Sequence, residues 1–577
     1  MKQIYLATCS VLLLLTACGG GGSSGSSSGA SGASSSSSGG ATLATLNNWG
    51  GANPSGPFIP AKNDTAAYND TRLQITFDAP PTLGTTGLIK VFKADGTLVD
   101  TIDVSSAVVD AGGETQTTFA HANTEIDKIG NNVPGLTQWR FGYYRPVTIS
   151  GNKAVIKLHD NVLDFATSYY VTIDNGVLTG TIGGAAFTGF SAKTDWTFKT
   201  KSMPTNVNVV VDDDGPADFR SVQGALNWEM WSGCTTCGYA TADKTITIKN
   251  GTYDEQLFLR NVSNLNIVGE SRDGVIVQTN NFEAFNSGTG GSKTAAATTL
   301  TNIGGNSALG NRRALGGGRS VLLIEGGDLI KLSNFTLKNT HVKDATTNGQ
   351  AETIYFNSST LTGSRLIATN MNFLSTQDTV QVKGWVWIYN SLIAGDVDYI
   401  WGSPFAVALE NDELRTVVDT SAPTSGGYVF QARSAKGFPG FVVLNSSVTA
   451  DAGVPAGSTY LARSGGLLQS AGYCTTPFTS GSLANANIYC DNVAYINTKM
   501  GTNVAAAGWW NNPLPNLTAS ATEGWRESGT MNAAGTLVSL SGRDTTISSS
   551  TADLSGLNTR AKIFASWNSN AGWAPTP

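Results

Sequence analysis

A six-residue pattern with asparagine at its third place recurs between residues 332 and 448. Its first and last places are apolar or small, as in LSNFTL, and successive copies are 36, 20, 21 and 34 residues apart. An interval near 20 residues is about one coil of a parallel β-helix, and longer intervals fit coils with a loop insertion. Asparagine tolerates the left-handed turn between short strands, and its side chain can bond to its counterpart one coil away. The pattern is centred on Asn334, Asn370, Asn390, Asn411 and Asn445.

These copies predict an all-β chain whose main part is a right-handed parallel β-helix. A doubly wound α/β fold would need helical segments between the strands, and helical periodicity is weak throughout the chain. Asparagines that are merely common in loops would not recur in register. The 67 glycines and the low charged fraction, 14% of 577 residues, also favour many short strands and turns.

The formal net charge of −6 excludes one class of partner. A domain that binds nucleic acid needs a basic surface, so nucleic acid is not expected as a partner. Tight generic binding of a polyanion is disfavoured for the same reason. A partly esterified, and therefore partly neutral, polymer remains compatible with this charge.

Residues 1–18 have the features of an export signal, with Lys2 followed by a short apolar run from Val11 to Leu15. The ending Leu-Thr-Ala-Cys resembles a bacterial lipobox, which would make Cys18 the lipidated first residue of the mature protein. Residues 19–40 are almost entirely Gly and Ser and predict a flexible tether for an anchored domain. By resemblance to known lipoproteins, Gly19 favours the outer membrane, facing the periplasm or the cell surface. An ordinary signal peptide cut elsewhere is the alternative.

Two folded regions are expected after the tether. Residues 41–203 contain short alternating stretches separated by turn signals, which predict a β-sandwich. Segments such as SYYVTIDNGV also resemble the bacterial Ig-like domains that precede secreted enzymes. Residues 206–577 form the β-helix domain.

Four cysteines remain once Cys9 is removed and Cys18 is acylated. An exported chain favours disulfides, and four cysteines allow three pairings. We favour Cys234 with Cys237 and Cys474 with Cys490. Zinc is the competing interpretation, but the sequence has a single Cys-x2-Cys pair, and His341 is the sole histidine of the C-terminal region.

The length of one coil predicts that two carboxylates lie close together. Asp378 and Asp398 are 20 residues apart, so they are expected on adjacent rungs of one sheet, about 4.8 Å from each other. Gln350 precedes Gln377 by 27 residues, one coil with a modest insertion. Two amides are therefore expected beside two carboxylates.

The motifs around these residues form an ordered series that resembles the pectin methylesterases. The series is GTYDEQLFL, NGQAETIYF, STQDTVQV, GDVDYIWG and TYLARSG, within residues 206–577. The resemblance implies an esterase that removes methyl groups from pectin without a metal or another cofactor. It also implies specific roles: Asp398 as nucleophile, Asp378 as general acid/base, Gln377 and Gln350 as oxyanion donors, and Arg463 as the residue that orients the nucleophile.

The implied roles are chemically coherent. A carboxylate that attacks the ester carbonyl needs donors for the developing oxyanion and an acid for the departing methanol. Two close carboxylates cannot both ionise cheaply, so one is driven towards the protonated form that an acid requires. Arg463 would favour ionised Asp398 through a bidentate pair. Asp396 shares strand parity with Asp398, but it does not match the family's aspartate and is interpreted as a turn residue.

The substrate side of the site is less sharply predicted. Trp401 is a candidate for stacking on a sugar ring, although tryptophan in a β-protein is more often core. Trp509, Trp510 and Trp525 are weaker candidates. Many family members follow the arginine with Pro and Trp, whereas this chain has Ser464 and Gly465. The Gly-rich stretch from about residue 286 to 319 is interpreted as a loop near the cleft.

Other functions fit the sequence less well. A pectate lyase would call for calcium-binding acids with a Lys or Arg base. A polygalacturonase or a Ser-His-Asp esterase would depend on His341, whose surroundings, NTHVKD, lack the required motif. A thioesterase or another esterase on the same scaffold remains open, as does a non-catalytic pectin-binding surface lipoprotein. A monomer is the default expectation.

Overall fold

Parallel strands stacked in three ladders make up the C-terminal part of the chain in the computed structural model. The structure describes residues 56–109, 120–231, 243–286, 288–294, 318–344, 349–465, 474–475, 477–479 and 489–577. The predicted signal peptide, its Cys18 and the tether lie outside the described residues, as do Cys234 and Cys237. Three consecutive ladders, each running parallel, define a parallel β-helix and confirm the predicted fold class.

The ladder that carries the candidate site is called the site ladder. Its strands are Leu257–Arg260, Leu322–Glu325, Ile354–Asn357, Val380–Tyr389, Val397–Glu410, Tyr428–Ala432 and Tyr460–Ala462. The second ladder shares the two long strands of that set, which bend from one face of the β-helix to the next. Its strands are Asn208–Val211, Lys244–Ile248, Ser263–Gly269, Asp328–Ser333, Arg365–Thr369, Val380–Tyr389, Val397–Glu410, Gly440–Leu444, Val493–Ile496, Trp525–Ser528 and Ser548–Ser549.

The third ladder closes each coil after the asparagine turn. Its strands are Gly251–Asp254, Val275–Thr279, Thr336–Asn339, Asn372–Leu374, Leu392–Gly395, Glu413–Thr416, Ser447–Ala450, Lys499–Met500 and Met531–Asn532. All five predicted asparagines have positive φ, between 51° and 65°. Asn370 also donates to the side-chain oxygen of Asn334, 2.7 Å away and one coil earlier. The turn that the sequence pattern predicted is therefore confirmed.

Inward-facing side chains from all three ladders fill one apolar core, which includes Leu323, Phe356, Ile400 and Phe430. The N-terminal end of this core is covered by the helix Val222–Met230, all of whose residues are buried. Ser221 caps the helix by accepting a hydrogen bond from the backbone N–H of Gly224. Short helical segments at Ser555–Leu557, Arg560–Ile563 and Trp567–Asn570 lie near the C-terminus. Ile563 belongs to an apolar cluster with Trp385 and Phe405 of the long strands.

Two sheets precede the β-helix and share a second core, as expected for a β-sandwich. One contains Phe58–Ile59, Leu73–Thr76, Lys153–Ile156 and Val147–Ser150, and the other contains Asp64–Ala67, Thr197–Thr200, Ser168–Ile173, Leu88–Lys93 and Leu98–Asp103. Their strands pair antiparallel, except that Asp64–Ala67 runs parallel to Thr197–Thr200. Smaller pairs join Thr82–Leu83 with Leu178–Thr179, Thr181–Ile182 with Ala185–Ala186, Ala107–Val109 with Ala120–Ala122, and Glu125–Ile129 with Arg140–Tyr144. The Ig-like assignment stays a prediction.

The last of these pairs packs on the β-helix and also contacts the sandwich, where Lys157 pairs with Asp127 at 3.4 Å. Ile129 and Val133 belong to the β-helix core. Arg140, which is fully buried, donates from Nη1 to the backbone oxygen of Leu257 at 2.6 Å and from Nη2 to that of Gly318 at 3.1 Å. The described residues all belong to one compact unit. The sequence boundary near residue 203 precedes the first β-helix strand, but chain from both sides of it builds the β-helix.

Two further features concern export. Cys474 and Cys490 form a disulfide, which confirms this half of the favoured pairing. Of the helices in the described part of the chain, none has the length and apolar character needed to cross a membrane.

Candidate active site

Asp378 and Asp398 occupy neighbouring rungs of the site ladder. Val380 pairs in register with Ile400, and each aspartate stands two residues before its member of that pair. The backbone N–H of Asp378 also donates to the carbonyl of Val397 at 3.0 Å. Asp378 and Asp398 therefore lie on adjacent rungs, as their 20-residue spacing predicts.

Both aspartates adopt a backbone conformation that most residues avoid. The φ angle is 63° at Asp378 and 50° at Asp398, and both side chains are buried, with 7% and 4% of each residue exposed. Aspartate reaches this left-handed region more readily than most non-glycine residues, at a cost of about 1 kcal/mol. The two residues share this conformation on adjacent rungs, and the charge of Asp398 acts on the carboxyl group of Asp378.

Asp398 is held by cationic and amide donors. Arg463 donates from Nε to Oδ1 at 2.8 Å and from Nη2 to Oδ2 at 2.5 Å, which is the bidentate pair expected from the sequence. Gln431 donates from Nε2 to Oδ2 at 2.8 Å. Charge-assisted bonds of this kind stabilise a carboxylate anion and fix its orientation. Gln431 is a site residue that was not predicted from the sequence.

Asp378 has a different environment. Burial raises the pKa of Asp378 to about 7, while the cation of Arg319 opposes this rise and the charge of Asp398 adds to it. Nη2 of Arg319 donates to Oδ2 of Asp378 at 2.8 Å. A carboxyl group with this pKa is substantially protonated near neutral pH. The electrostatics therefore distinguish the two aspartates.

Arg319 divides its charge among three acids. Besides Asp378 it contacts Glu352, with Nε donating to Oε2 at 2.8 Å, and Glu283, with Nη1 donating to Oε2 at 2.5 Å. Burial raises the pKa of Glu352 to about 8. None of the three charged residues around Asp378 (Arg319, Glu352 and Glu283) was predicted as a site residue, although Glu352 lies two places after Gln350 and Arg319 ends the Gly-rich stretch. Most of that stretch, residues 295–317, lies outside the described residues.

The two amides are also adjacent. Gln350 and Gln377 form a parallel bridge, and the N–H of Ala351 donates to the carbonyl of Gln377 at 3.0 Å. The side-chain oxygen of Gln350 is buried, and it has no hydrogen-bond partner among the described residues. Gln377 immediately precedes Asp378, so both amides belong to the same edge of the site ladder as the acid.

Trp401 lies beside Gln381 on one rung and beside Gln431 on the other. Only 5% of Trp401 is exposed, and the guanidinium carbon of Arg433 lies 4.9 Å from its ring centroid. Its role in binding substrate stays a prediction. Trp509 and Trp525 stack on each other in the core, with centroids 5.3 Å apart.

Other aromatic rings flank Arg463, where the motif lacks its usual tryptophan. The guanidinium carbon of Arg463 lies 4.5 Å from the ring centroid of Tyr428. Tyr428 stacks on Tyr460 at 5.9 Å, and Trp510 meets Tyr460 edge to face at 4.8 Å. Ser464 instead donates from Oγ to Asp491 at 2.7 Å. Spatial neighbours thus supply aromatic surface that the local sequence does not.

The remaining polar candidates have structural partners. Asp396, in the bend before the strand Val397–Glu410, pairs with Lys343 at 3.2 Å, and Lys343 also contacts Asp419 at 2.7 Å. This agrees with its interpretation as a turn residue. His341 stacks on Phe282 with centroids 4.0 Å apart, and burial lowers the pKa of its imidazole to about 4.

Comparison with known proteins supports the motif resemblance. No protein-family model matches the chain. A pectinesterase of Ralstonia solanacearum is 23% identical over 336 residues, which cover 55% of this chain and 74% of the relative. A pectinesterase of Ralstonia nicotianae is 23% identical over 330 residues, with the same coverage of both chains.

A solved pectin methylesterase from Erwinia chrysanthemi is 22% identical, covers 62% of this chain and 95% of its own, and superimposes with a TM-score of 0.43. The ladders and the paired acids define a parallel β-helix protein with a two-aspartate site. By its ordered motifs and its curated relatives, the chain is similar to the pectin methylesterases.

Proposed function

We propose that this protein is a pectin methylesterase, a carboxylic ester hydrolase that removes methyl groups from methyl-esterified homogalacturonan and releases methanol. One observation carries the proposal: two aspartates on adjacent rungs each contact an arginine, but their electrostatic surroundings are unequal. Asp398 accepts a bidentate arginine, whereas burial raises the pKa of Asp378 to about 7. A nucleophile must be ionised and an acid must hold a proton; the bidentate arginine at Asp398 favours the first, and the raised pKa of Asp378 favours the second.

In the first half-reaction, ionised Asp398 attacks the ester carbonyl. The carbonyl oxygen becomes an oxyanion, to which the side-chain amides of Gln377 and Gln350 donate. Protonated Asp378 transfers its proton to the leaving methoxide, so methanol departs and an acyl-enzyme anhydride forms on Asp398. Arg463 holds the nucleophile throughout, because its fork engages both oxygens.

In the second half-reaction, the roles reverse around Asp378. Having given up its proton, Asp378 takes one from a water molecule, and the hydroxide attacks the acyl carbonyl. The anhydride bond breaks, Asp398 leaves as a carboxylate, and the product leaves as a galacturonic acid unit that releases its proton to bulk water. Each aspartate returns to its starting protonation state, so the cycle needs no external proton donor or cofactor.

The experiment measures methanol release from highly methylated pectin by the full-length chain, beside two substitutions. Asp398→Asn removes the nucleophile and should abolish turnover. Asp378→Asn removes the acid and should lower the rate roughly 10²- to 10⁴-fold. Asp451→Asn, the same change at an exposed residue of the third-ladder face, is the matched control and should keep full activity.

The other outcomes decide between this proposal and its alternatives. Thiol release from an acyl thioester without methanol from pectin would assign a thioesterase to the same scaffold. Binding of pectin with no turnover by the unsubstituted chain would favour a non-catalytic pectin-binding protein. Retained methanol release in Asp398→Asn would contradict the nucleophile assignment while leaving the substrate in place.

A further inference from the structure

Arg433 lies on the outward face of the site ladder, close to the proposed nucleophile. It follows the strand Tyr428–Ala432, and its N–H donates to the carbonyl of Gly402 at 2.9 Å. Its Nε donates to the side-chain oxygen of Gln431 at 3.0 Å, and Gln431 in turn donates to Asp398 at 2.8 Å. One amide side chain therefore separates this cation from the nucleophile.

The charge of Arg433 is unmatched by a direct ion pair. Three arginines surround the aspartates, and two of them have carboxylate partners: Arg463 has Asp398, and Arg319 has three acids. Among the described residues, no carboxylate lies within ion-pair distance of Arg433. Asp491 is close enough for Arg433 to lower its pKa, but burial raises that pKa to about 7, and its Oδ2 already accepts from Ser464.

The guanidinium of Arg433 also has N–H groups that make no hydrogen bond to the described residues. Within the described part of the chain, its bonds all go to the side-chain oxygen of Gln431, through Nε and one Nη, out of five N–H groups. It is half-buried and rests over Trp401 at 4.9 Å, which fixes its plane. A weakly hydrated, oriented fork of this kind favours a bidentate carboxylate.

We propose that Arg433 binds the free carboxylate of a galacturonate unit next to the ester under attack. This inference rests on the proposed function, because that reaction leaves such a carboxylate on every unit it has processed. The chain as a whole has a net charge of −6 and repels a polyanion, so a local cation is needed to retain a demethylated segment beside the site. The protein should therefore prefer partly de-esterified pectin to fully esterified pectin.

The test compares full-length wild-type protein with Arg433→Gln on two oligogalacturonides, one fully methyl-esterified and one with some units de-esterified. In the variant, the preference for the de-esterified substrate should fall roughly tenfold, mainly through KM, as for the loss of one charge-assisted pair. Arg433→Lys keeps the charge without the fork and should retain part of the preference. Arg415→Gln is the matched control, because Arg415 lies on the third ladder and already pairs with Glu413 at 2.8 Å.

A binding measurement separates this inference from the proposed function. Titration calorimetry with fully de-esterified hexagalacturonate, which cannot react, should show about tenfold weaker binding by Arg433→Gln than by wild type or Arg415→Gln. If wild type releases methanol but Arg433→Gln keeps both its preference and its affinity, the inference is wrong and the function stands. An equal loss of kcat on both substrates with unchanged affinity would also overturn it, since Arg433 would then only orient Gln431. No methanol from any substrate would refute the function itself.

Discussion

Replacing Arg319 by glutamine tests whether this residue sets the protonation state of the acid. Arg319 contacts Asp378 at 2.8 Å and is the largest influence that holds down the pKa of that carboxyl against burial. With the cation removed, burial and the charge of Asp398 act unopposed at this position. The pKa of Asp378 should therefore rise above its present value of about 7.

The size of the rise follows from the contact distance and from how the charge is shared. Opposite unit charges about 4 Å apart attract by roughly 4 kcal/mol at an effective dielectric constant of 20, which equals about three pKa units. Arg319 also serves Glu283 and Glu352, and the vacated space admits water that stabilises the freed carboxylates. We therefore expect about one to two units rather than three.

The assay is the pH dependence of kcat for methanol release. The first half-reaction needs protonated Asp378, so activity falls as the pH rises through its pKa. In Arg319→Gln this alkaline limb should move up by about one to two pH units. Arg319→Lys retains a cation and should move the limb less, which gives a matched comparison in which the side chain changes but the charge stays.

Loss of a buried cation is also expected to destabilise the fold, because three acids lose their partner. The double variant Arg319→Gln with Glu352→Gln removes one of those acids and keeps the test possible if the single variant does not fold. An alkaline limb that stays in place in a folded variant would refute the reasoning. A shift to lower pH would refute it equally, since removal of a cation cannot favour the anion.

Two further predictions concern the bidentate pair of Arg463 with Asp398 and the strand pair Glu125–Ile129 with Arg140–Tyr144. Arg463→Lys replaces the two-point contact with Asp398 by a single one. The value of kcat/KM, measured by titration of the released acid, should fall about 10- to 100-fold. Near-wild-type activity would contradict the proposed role of Arg463 in holding the nucleophile. Arg140→Met removes bonds to the carbonyls of Leu257 and Gly318, and the free energy of unfolding should drop by about 3 kcal/mol or more in denaturant titration. An unchanged unfolding midpoint would mean that this strand pair contributes little to the β-helix.

The fold could be predicted because its determinants are local and periodic. Each asparagine turn needs one residue that accepts positive φ, and its recurrence at coil-length intervals is visible along the chain. The same periodicity put Asp378 beside Asp398. The packing of the strand pair Glu125–Ile129 and Arg140–Tyr144 on the β-helix could not be predicted in this way. Arg140 donates to backbone carbonyl groups, which every residue has, so no sequence pattern marks its partners.

The site was predicted only as far as its motifs extend. Arg463 was found because its motif resembles a family pattern, and its bidentate geometry is present. Arg319 is 59 residues from Asp378 and follows a long insertion, so no spacing rule connects the two. Arg433 and Gln431 are two residues apart, so the sequence predicts that their side chains share one face of the strand. That spacing alone does not show that this face carries the site.

The difference between the two aspartates arises from how many carboxylates share each arginine. Both residues occupy equivalent rung positions, have positive φ and are buried, so neither residue type nor backbone assigns their roles. Arg463 gives both ends of its fork to Asp398, whereas Arg319 divides its donors among Asp378, Glu283 and Glu352. A divided cation offsets less of the burial that opposes ionisation, so Asp378 is the aspartate that keeps its proton. The acids around Arg319 are therefore as much a part of the proposed chemistry as Asp378 itself, although none of them needs to touch the substrate.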